Sequence, residues 1–444
     1  MKNQRIRKIG IIGLGYVGFI TAVGFGLKGY EVKCVDIRED VVKKANEGSV
    51  PFFEPNLEDN LNVVIQENKF SASTTYDILK DTEVSFICVG TPSKETGEID
   101  LKYIISASEN IGKVLKEMDH FHIVVVKSTV VPTTTENVVK PILEKNSEKN
   151  CGKDFSIAMI PEFLREGNAM YDFLHPSRTV IGAYDKNTAQ KLTDLFKPFE
   201  GEIFVVENPR TAEMIKYANN SFLALKVSFI NEIANICRSI GKIDVNEVAK
   251  GIGLDDRISE KFLRAGCGFG GSCFPKDTKA IYNLAKQKGY TPLLIDALLK
   301  VNENQSKIMV KMLEEAIGDL NGKKIAILGL AFKPNTSDMR EAPSIKIIDM
   351  ITKNHNVEIC AYDPAAMDEA KNIIQQDIKY APSVADCIKD ADACLIITEW
   401  DEFKILKPEF FIENMKTPII IDGRMIYNFE KFSRKLAYYS IGRR

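Results

Sequence analysis

Short apolar runs, bounded by glycine or acid, recur along the chain and alternate with segments of helical periodicity. Residues 8–12 form such a run, followed by Gly13-Leu14-Gly15-Tyr16-Val17-Gly18 and an apolar helical segment through residue 27. A second run, residues 31–35, ends at Asp36. Residues 84–89 lead into Gly90-Thr91-Pro92-Ser93, residues 123–126 into Lys127-Ser128-Thr129, and residues 156–160 into Pro161-Glu162-Phe163-Leu164-Arg165-Glu166-Gly167. Strands alternating with helices predict a parallel, doubly wound α/β sheet, whose ligands bind at the carboxyl ends of the strands. Thr91, Thr129, Glu162 and Glu166 all fall just past such ends.

Residues 211–240 read as one helix without Pro or Gly, apolar at Met214, Ile215, Ala218, Phe222, Leu225, Phe229, Ile233, Ile236 and Ile240. At about 1.5 Å per residue it spans roughly 45 Å, more than one small domain needs. Its wide apolar face predicts packing on more than its own chain. Lys216 and Asn220, four apart, share one face among apolar neighbours. The last third repeats the opening pattern, with runs at 324–329, 357–362 ending at Asp363, 393–398, and 418–421 ending at Asp422-Gly423-Arg424. This second sheet lacks the three-glycine signature and is expected to hold a different nucleotide-like ligand, with Lys333 and Arg424 as phosphate contacts. Residues 435–444 are expected to fray.

The first glycine run carries a mechanical reading. Gly13 permits a tight turn, Gly15 lets a pyrophosphate approach the backbone, and Gly18 lets helix and strand pack closely. The helix N-terminus then receives the phosphates. Asp36, 18 residues beyond Gly18, is placed to hold ribose hydroxyls. An acid there favours NAD over NADP, and Arg38, two residues on, leans the other way.

A second glycine-rich stretch, Gly266-Cys267-Gly268-Phe269-Gly270-Gly271-Ser272-Cys273-Phe274-Pro275-Lys276-Asp277, is expected to lie against a ligand. Pro275 suits a first helical position, which sets Cys273 at a helix N-terminus. There the helix dipole and Lys276 favour a thiolate. Cys267 is read as a packing residue.

Composition narrows the classes. The 444 residues allow two or three domains. A net charge of −2 gives no reason to expect nucleic acid or an anionic membrane. No apolar run is long enough to span a bilayer, and the first residues do not read as a signal peptide. Nine scattered cysteines do not form a disulfide framework, which fits a cytoplasmic setting. Four histidines without metal-ligand spacing argue against a protein-held metal.

The motifs GLGYVG, VGTPS, KSTV, PEFLREG, IKYANNSFLALKVSFINE, DDRI, GFGGSCFPKD, LGLAFKPNTSDMRE, YDP and DGR, in this order, resemble those of the UDP-glucose/GDP-mannose dehydrogenases over essentially the whole chain. The resemblance implies two Rossmann-like doubly wound domains joined by a long central helix and a helical middle domain. The expected division is 1–208 for NAD, 209–305 for the central domain with the cysteine loop, and 320–444 for the UDP part of a nucleotide sugar. It implies oxidation of a sugar C6 alcohol to a carboxylate with two NAD⁺, UDP-glucose to UDP-glucuronate being the first expectation. GDP-mannose or a UDP-N-acetylhexosamine is the alternative. Relatives acting on N-acetylated sugars usually carry histidine where Ser272 stands.

Residue by residue, the resemblance makes Cys273 the nucleophile that forms a thiohemiacetal and then a thioester. Lys216 and Asn220 would stabilise the oxygen at C6. Asp277 would act with Lys216 and a water in proton transfer, and Glu162 and Thr129 would serve the hydrolytic water. Gly13, Gly15, Tyr16, Val17, Gly18, Asp36, Thr91, Thr129, Glu166 and Arg340 would lie near NAD. Phe163, Leu164, Arg165, Lys216, Asn220, Phe269, Gly270, Lys333 and Arg424 would contact the substrate. Arg257 would reach into the substrate site of a partner subunit, which presupposes a homodimer, or a higher oligomer, built on the long helix. Two departures stand out: Ile160 replaces the asparagine usual before Pro-Glu-Phe, and Met425-Ile426 follow DGR where asparagine is common. Outside this family, a two-electron hydroxyacid-type dehydrogenase would yield one NADH per substrate, and a non-catalytic NAD-binding scaffold would yield none.

Overall fold

A computed structural model describes residues 6–443 of the chain, which divide between Asn219 and Asn220 into two compact units. The first unit holds β1 (Lys8–Ile12), β2 (Glu31–Val35), β3 (Phe70–Ser73), β4 (Val84–Ile87), β5 (His122–Val126), β6 (Phe155–Met159), β7 (Arg178–Ala183) and β8 (Glu202–Val206). They form one sheet in the order β3-β2-β1-β4-β5-β6-β7-β8. Alternate residues pack on opposite faces. Ile9, Ile11, Phe86 and Val125 meet Phe19 and Phe25 of the helix Tyr16–Leu27, while Ile12, Ile87, Val124 and Val126 meet Ile104 and Ile111 on the other side. Burial on both faces explains why these strands read as continuous apolar runs.

The predicted strands are present to within one or two residues, and the sheet is parallel from β3 through β6. Beyond β6 it turns: β7 runs antiparallel to β6, and β8 pairs parallel with β7. The apolar pattern did not reveal β8, because it is an edge strand with Phe204 and Val205 about half exposed.

The long helix runs Pro209–Ile240. Its inward positions are Ala212, Tyr217, Ala224, Ile230, Ala234 and Cys237, whereas Met214, Phe222, Phe229, Ile236 and Ile240 are exposed. The helix is therefore apolar on two faces, as its composition implied.

In the second unit the helices Phe274–Gln287 and Leu293–Ile317 precede a six-stranded sheet. Its strands are β9 (Lys324–Leu328), β10 (Glu358–Tyr362), β11 (Lys379–Tyr380), β12 (Ala393–Ile396), β13 (Ile419–Asp422) and β14 (Ala437–Ser440). All pairs are parallel, in the order β11-β10-β9-β12-β13-β14. β14 corrects the expectation of a frayed tail. It pairs with β13, buries Tyr438 and Ile441, and donates the Tyr438 hydroxyl to Asp422 at 2.7 Å. Arg444 lies outside the described residues. Met425, at the departure after DGR, has φ +52°, the left-handed region in which asparagine is favoured among side-chain-bearing residues.

Candidate active site

The turn after β1 is built as its glycines require. Gly13 has φ +95°, and a Cβ on Gly18 would stand 1.8 Å from the Gly13 carbonyl oxygen, so neither position tolerates a side chain. Gly15 differs: a Cβ there would meet no protein atom within 4 Å. Nothing in the packing demands that glycine, and the space above it fits a pyrophosphate at the N-terminus of the helix Tyr16–Leu27. Asp36 accepts the Leu14 amide at 2.7 Å on one oxygen and the Arg38 amide at 3.0 Å on the other. Each oxygen keeps acceptor capacity for a ribose hydroxyl. Arg38 approaches Asp36 at 3.5 Å from an exposed position. The residues present fit NAD.

At the carboxyl ends of β4, β5 and β6 a second group gathers in the same unit. The Ser128 hydroxyl donates to the Val89 carbonyl at 2.6 Å, fastening the segment that carries Thr129 beside the loop that carries Thr91. Thr91 is buried and Thr129 half-buried. The Lys216 ammonium lies 2.7 Å from both the carboxylate and the carbonyl oxygen of Glu162, with both side chains almost wholly buried. Burial works to raise the Glu162 carboxyl. The Lys216 ammonium outweighs it, with help from the Leu164 amide at 2.7 Å and from Lys127, and holds Glu162 below the usual carboxylate range. Lys127 is itself buried, which lowers its pKa. The Phe163 ring lies 4.1 Å from the Arg178 guanidinium and 5.4 Å from the Lys216 ammonium. Leu164 packs against the core, Arg165 pairs with Asp172, and Glu166 is half-buried.

The second unit holds the cysteine loop. Cys273 is the N-cap of the helix Phe274–Gln287, with Pro275 in its first turn, as the sequence predicted. The residue is half-buried, and its sulfur lies 3.4 Å from the Ser272 hydroxyl. One turn in, buried Asp277 accepts the Asn220 amide at 2.6 Å and the Lys276 ammonium at 2.7 Å. Lys276 is thus paired with Asp277 rather than left to Cys273 as expected, while the helix N-terminus is a place that favours an anion. Cys267 packs as expected, fully buried, with burial pushing its thiol up to about 12.

Two of the four glycines of this loop use the expected backbone freedom, Gly268 at φ +101° and Gly271 at φ +82°. A Cβ would meet Arg424 at 2.9 Å from Gly266, Asn302 at 2.9 Å from Gly268, the Glu341 carbonyl at 2.5 Å from Gly270, and the Phe332 ring at 2.8 Å from Gly271. The absence of side chains at these positions also lets the loop pack tightly on its own unit. Phe269 is pinned through its backbone by Asn302, at 2.7 Å and 3.1 Å. The Arg424 guanidinium lies 3.2 Å from Glu399 and donates to the Ile397 carbonyl at 2.5 Å. Lys333 lies over the Phe332 ring. Arg257 and Arg340 are exposed and pair with Asp255 and Asp338.

Sequence reasoning missed three buried groups: Glu54, Lys127 and Glu213. Glu213 accepts from the Thr133 amide at 2.6 Å and from the Thr135 amide and hydroxyl at 2.8 Å and 2.6 Å. It lies one turn before Lys216, so the argument that singled out polar groups on this helix could have found it. Among the described residues no cluster could hold a metal ion and no helix is long and apolar enough to cross a membrane.

The chain matches the NAD binding domain of the UDP-glucose/GDP-mannose dehydrogenase family over residues 7–200, its central domain over 210–304 and its UDP binding domain over 326–429. It is 41% identical over 444 residues to a UDP-glucose 6-dehydrogenase of Bacillus subtilis, covering 99% of this chain and 94% of the relative. It is 44% identical over 423 residues to one of Haloferax volcanii, covering 94% and 97%. A solved UDP-glucose dehydrogenase from Pyrobaculum islandicum matches with a TM-score of 0.92 at 34% identity, over 100% of this chain and 99% of that one. A UDP-D-ManNAc dehydrogenase from Pyrococcus horikoshii matches at 0.87 and 30%, over 98% and 99%. The chain belongs to the UDP-glucose/GDP-mannose dehydrogenase family, as an NAD-dependent nucleotide-sugar 6-dehydrogenase.

Proposed function

We propose that the enzyme oxidises the C6 alcohol of UDP-glucose to the carboxylate of UDP-glucuronate through a covalent intermediate on Cys273. The observation that carries this reading is the place of that sulfur. Of the nine cysteines, seven are buried, and burial pushes the thiol of half-exposed Cys151 up to about 12. Cys273 alone combines incomplete burial with a place at a helix N-terminus, where an anion is favoured. For the substrate, support comes from the relatives at about 40% identity, each a UDP-glucose 6-dehydrogenase.

Bound NAD⁺ supplies the hydride acceptor for both oxidations, two per sugar. Gly13, Gly15, Tyr16, Val17, Gly18 and Asp36 hold its adenosine and pyrophosphate, with Thr91, Thr129, Glu166 and Arg340 further along. The Cys273 thiolate adds to the C6 aldehyde carbon, forming a C–S bond and placing the charge on oxygen, where Lys216 and Asn220 stabilise it. At the thioester stage water attacks the same carbon and the C–S bond breaks, leaving the carboxylate and the free thiol. Glu162 and Thr129 orient that water. Asp277, with Lys216, relays its proton. The backbone of Phe163, Leu164 and Arg165, together with Phe269 and Gly270, positions the sugar, while Lys333 and Arg424 take the diphosphate. The three-part division at 1–208, 209–305 and 320–444 belongs to this reading. So does a homodimer, favoured by the exposed Phe222, Phe229 and Ile236 at seven-residue spacing on the long helix, with Arg257 serving the partner's site.

The test is NADH yield over a panel of nucleotide sugars, with the product identified. Two NADH per UDP-glucose, with the uronate as product, is the expected result. Two NADH only from an N-acetylated UDP-sugar or GDP-mannose would move the substrate within the family. Cys273→Ala is expected to lower acid formation at least about a thousandfold, and acid formed at the wild-type rate would remove the covalent step.

A further inference from the structure

Glu54 is a buried carboxylate that none of these roles uses. It follows two phenylalanines and precedes a proline, about 110 residues before the loop it touches. One of its oxygens accepts the Tyr16 hydroxyl and the Gly167 amide, the latter at 2.7 Å; the other accepts the Ala169 amide at 2.7 Å. A buried carboxylate is costly unless its acceptor sites are filled, and charge-assisted bonds to backbone amides are among the stronger ones. Three donors fill this one. Burial and Glu54 together raise the Tyr16 pKa, so that hydroxyl remains a donor.

The three donors come from two separate parts of the first unit. Tyr16 opens the helix of the dinucleotide turn, with its ring 5.0 Å from Phe52. Gly167 and Ala169 end the loop that begins at Pro161 and start the helix Ala169–Leu174. The loop is tied locally by Arg165, whose amide and guanidinium both bond Asp172, and by the Asn168 amide on the Arg165 carbonyl. Those ties fix the loop to its own helix only. The helix Ala169–Leu174 itself packs on the helix Tyr16–Leu27, with Phe173 5.5 Å from Phe25; Glu54 adds the buried polar tie that joins the end of the loop to Tyr16.

We propose that Glu54 is a positioning residue for nucleotide-sugar binding: it clamps the 163–169 loop to Tyr16 and so holds the loop backbone in its binding geometry. This rests on the reading that residues 163–165 contact the substrate. Glu54 touches no reacting atom, so its removal acts on affinity more than on the chemical step.

The experiment compares wild type, Glu54→Gln and Tyr16→Phe by amide hydrogen exchange at Gly167 and Ala169, and by KM for nucleotide sugar and kcat. Glu54→Gln keeps the side chain's size but removes the charge and puts a donor where acceptors are needed. Exchange at both amides is expected to rise about tenfold or more, and KM for the sugar nucleotide roughly tenfold, with kcat within about threefold. Tyr16→Phe keeps the carboxylate and both amide bonds, and is expected to give a smaller rise in each. If Glu54→Gln does not fold, Tyr16→Phe carries the test, and unchanged exchange at Gly167 and Ala169 overturns the clamp. Faster exchange with unchanged KM overturns the positioning role and leaves Glu54 structural. Neither result touches the wild-type yield of two NADH per sugar, so the oxidation itself is judged separately.

Discussion

In both sheets the first strand runs into a glycine in the left-handed region, Gly13 at φ +95° and Gly329 at φ +94°. In both, that glycine's amide donates to the end of the neighbouring strand, Val35 at 2.7 Å and Tyr362 at 2.8 Å. An aspartate follows each neighbouring strand, and the residue after the glycine donates to it at 2.7 Å, Leu14 to Asp36 and Leu330 to Asp363. The likeness stops there. Asp36 takes one more amide, from Arg38. Asp363 takes the amides of Ala331, Ala365 and Ala366 and the indole of Trp400, and is 1% exposed against 9% for Asp36. Where the first turn has Gly15 under open space, the second has buried Ala331. The first turn leaves open the space that protein fills in the second, so the same backbone carries an acid with spare acceptor capacity in one sheet and a fully engaged one in the other.

The sharpest way to break this contrast is to remove both aspartates in turn. Asp363→Ala strands five donors, four of them buried, and is expected to cost about 3–5 kcal/mol of unfolding free energy, with KM for NAD within about twofold of wild type. Asp36→Ala is expected to cost about 1 kcal/mol in the same denaturant titration and to raise KM for NAD about 10- to 100-fold. A reversal of the two patterns would mean that the second sheet holds the dinucleotide.

The glycines give a smaller version of the same experiment. Gly15 has extended backbone and no atom within 4 Å of a Cβ, so Gly15→Ala should fold with wild-type stability and bind NADH about 100-fold more weakly, as fluorescence titration would report. Gly329→Ala would force a side chain into φ +94° with its Cβ 2.4 Å from that of Thr398. About 2–3 kcal/mol of stability should go, and NADH affinity should stay.

Much of this contrast was legible before any coordinates, and the reason is local. The apolar runs of β1, β4 and β9 are each buried on both faces, so composition alone marks them. Three glycines in a row of six distinguish the open turn, whereas the strand-end acid does not, since Asp363 stands in the same place. Pro275 put Cys273 at its helix end. What was illegible depends on distant partners. Glu54 meets Gly167 across 113 residues and Glu213 meets Thr133 across 80, and no periodicity records such a pairing. The tight packing of the glycines of 266–271 was illegible for a related reason: the atoms that crowd them come from residues 302, 332, 341 and 424. β14 follows a polar stretch, and its burial comes from β13 rather than from its own pattern.

Glu213 extends the contrast between filled and unfilled acids. It takes three donors rather than five, and it holds Thr133 at φ +84°, a strained value for a β-branched residue. Burial pushes its carboxyl up to about 7 from 4.5, against the opposing pull of Thr135 and Thr133. Between pH 4.5 and 7 the unfolded chain loses this proton while the folded protein keeps it, so the folded state binds more protons. Stability from this group is fully present below pH 4.5 and is lost as pH rises through 7. Glu213→Gln removes the titration, so the difference in unfolding free energy between wild type and variant should change by about 3 kcal/mol over that window. A difference that stays flat with pH would mean that the threonine donors, rather than burial, set the charge, and that Glu213 is ionised in the fold as Glu162 is beside Lys216.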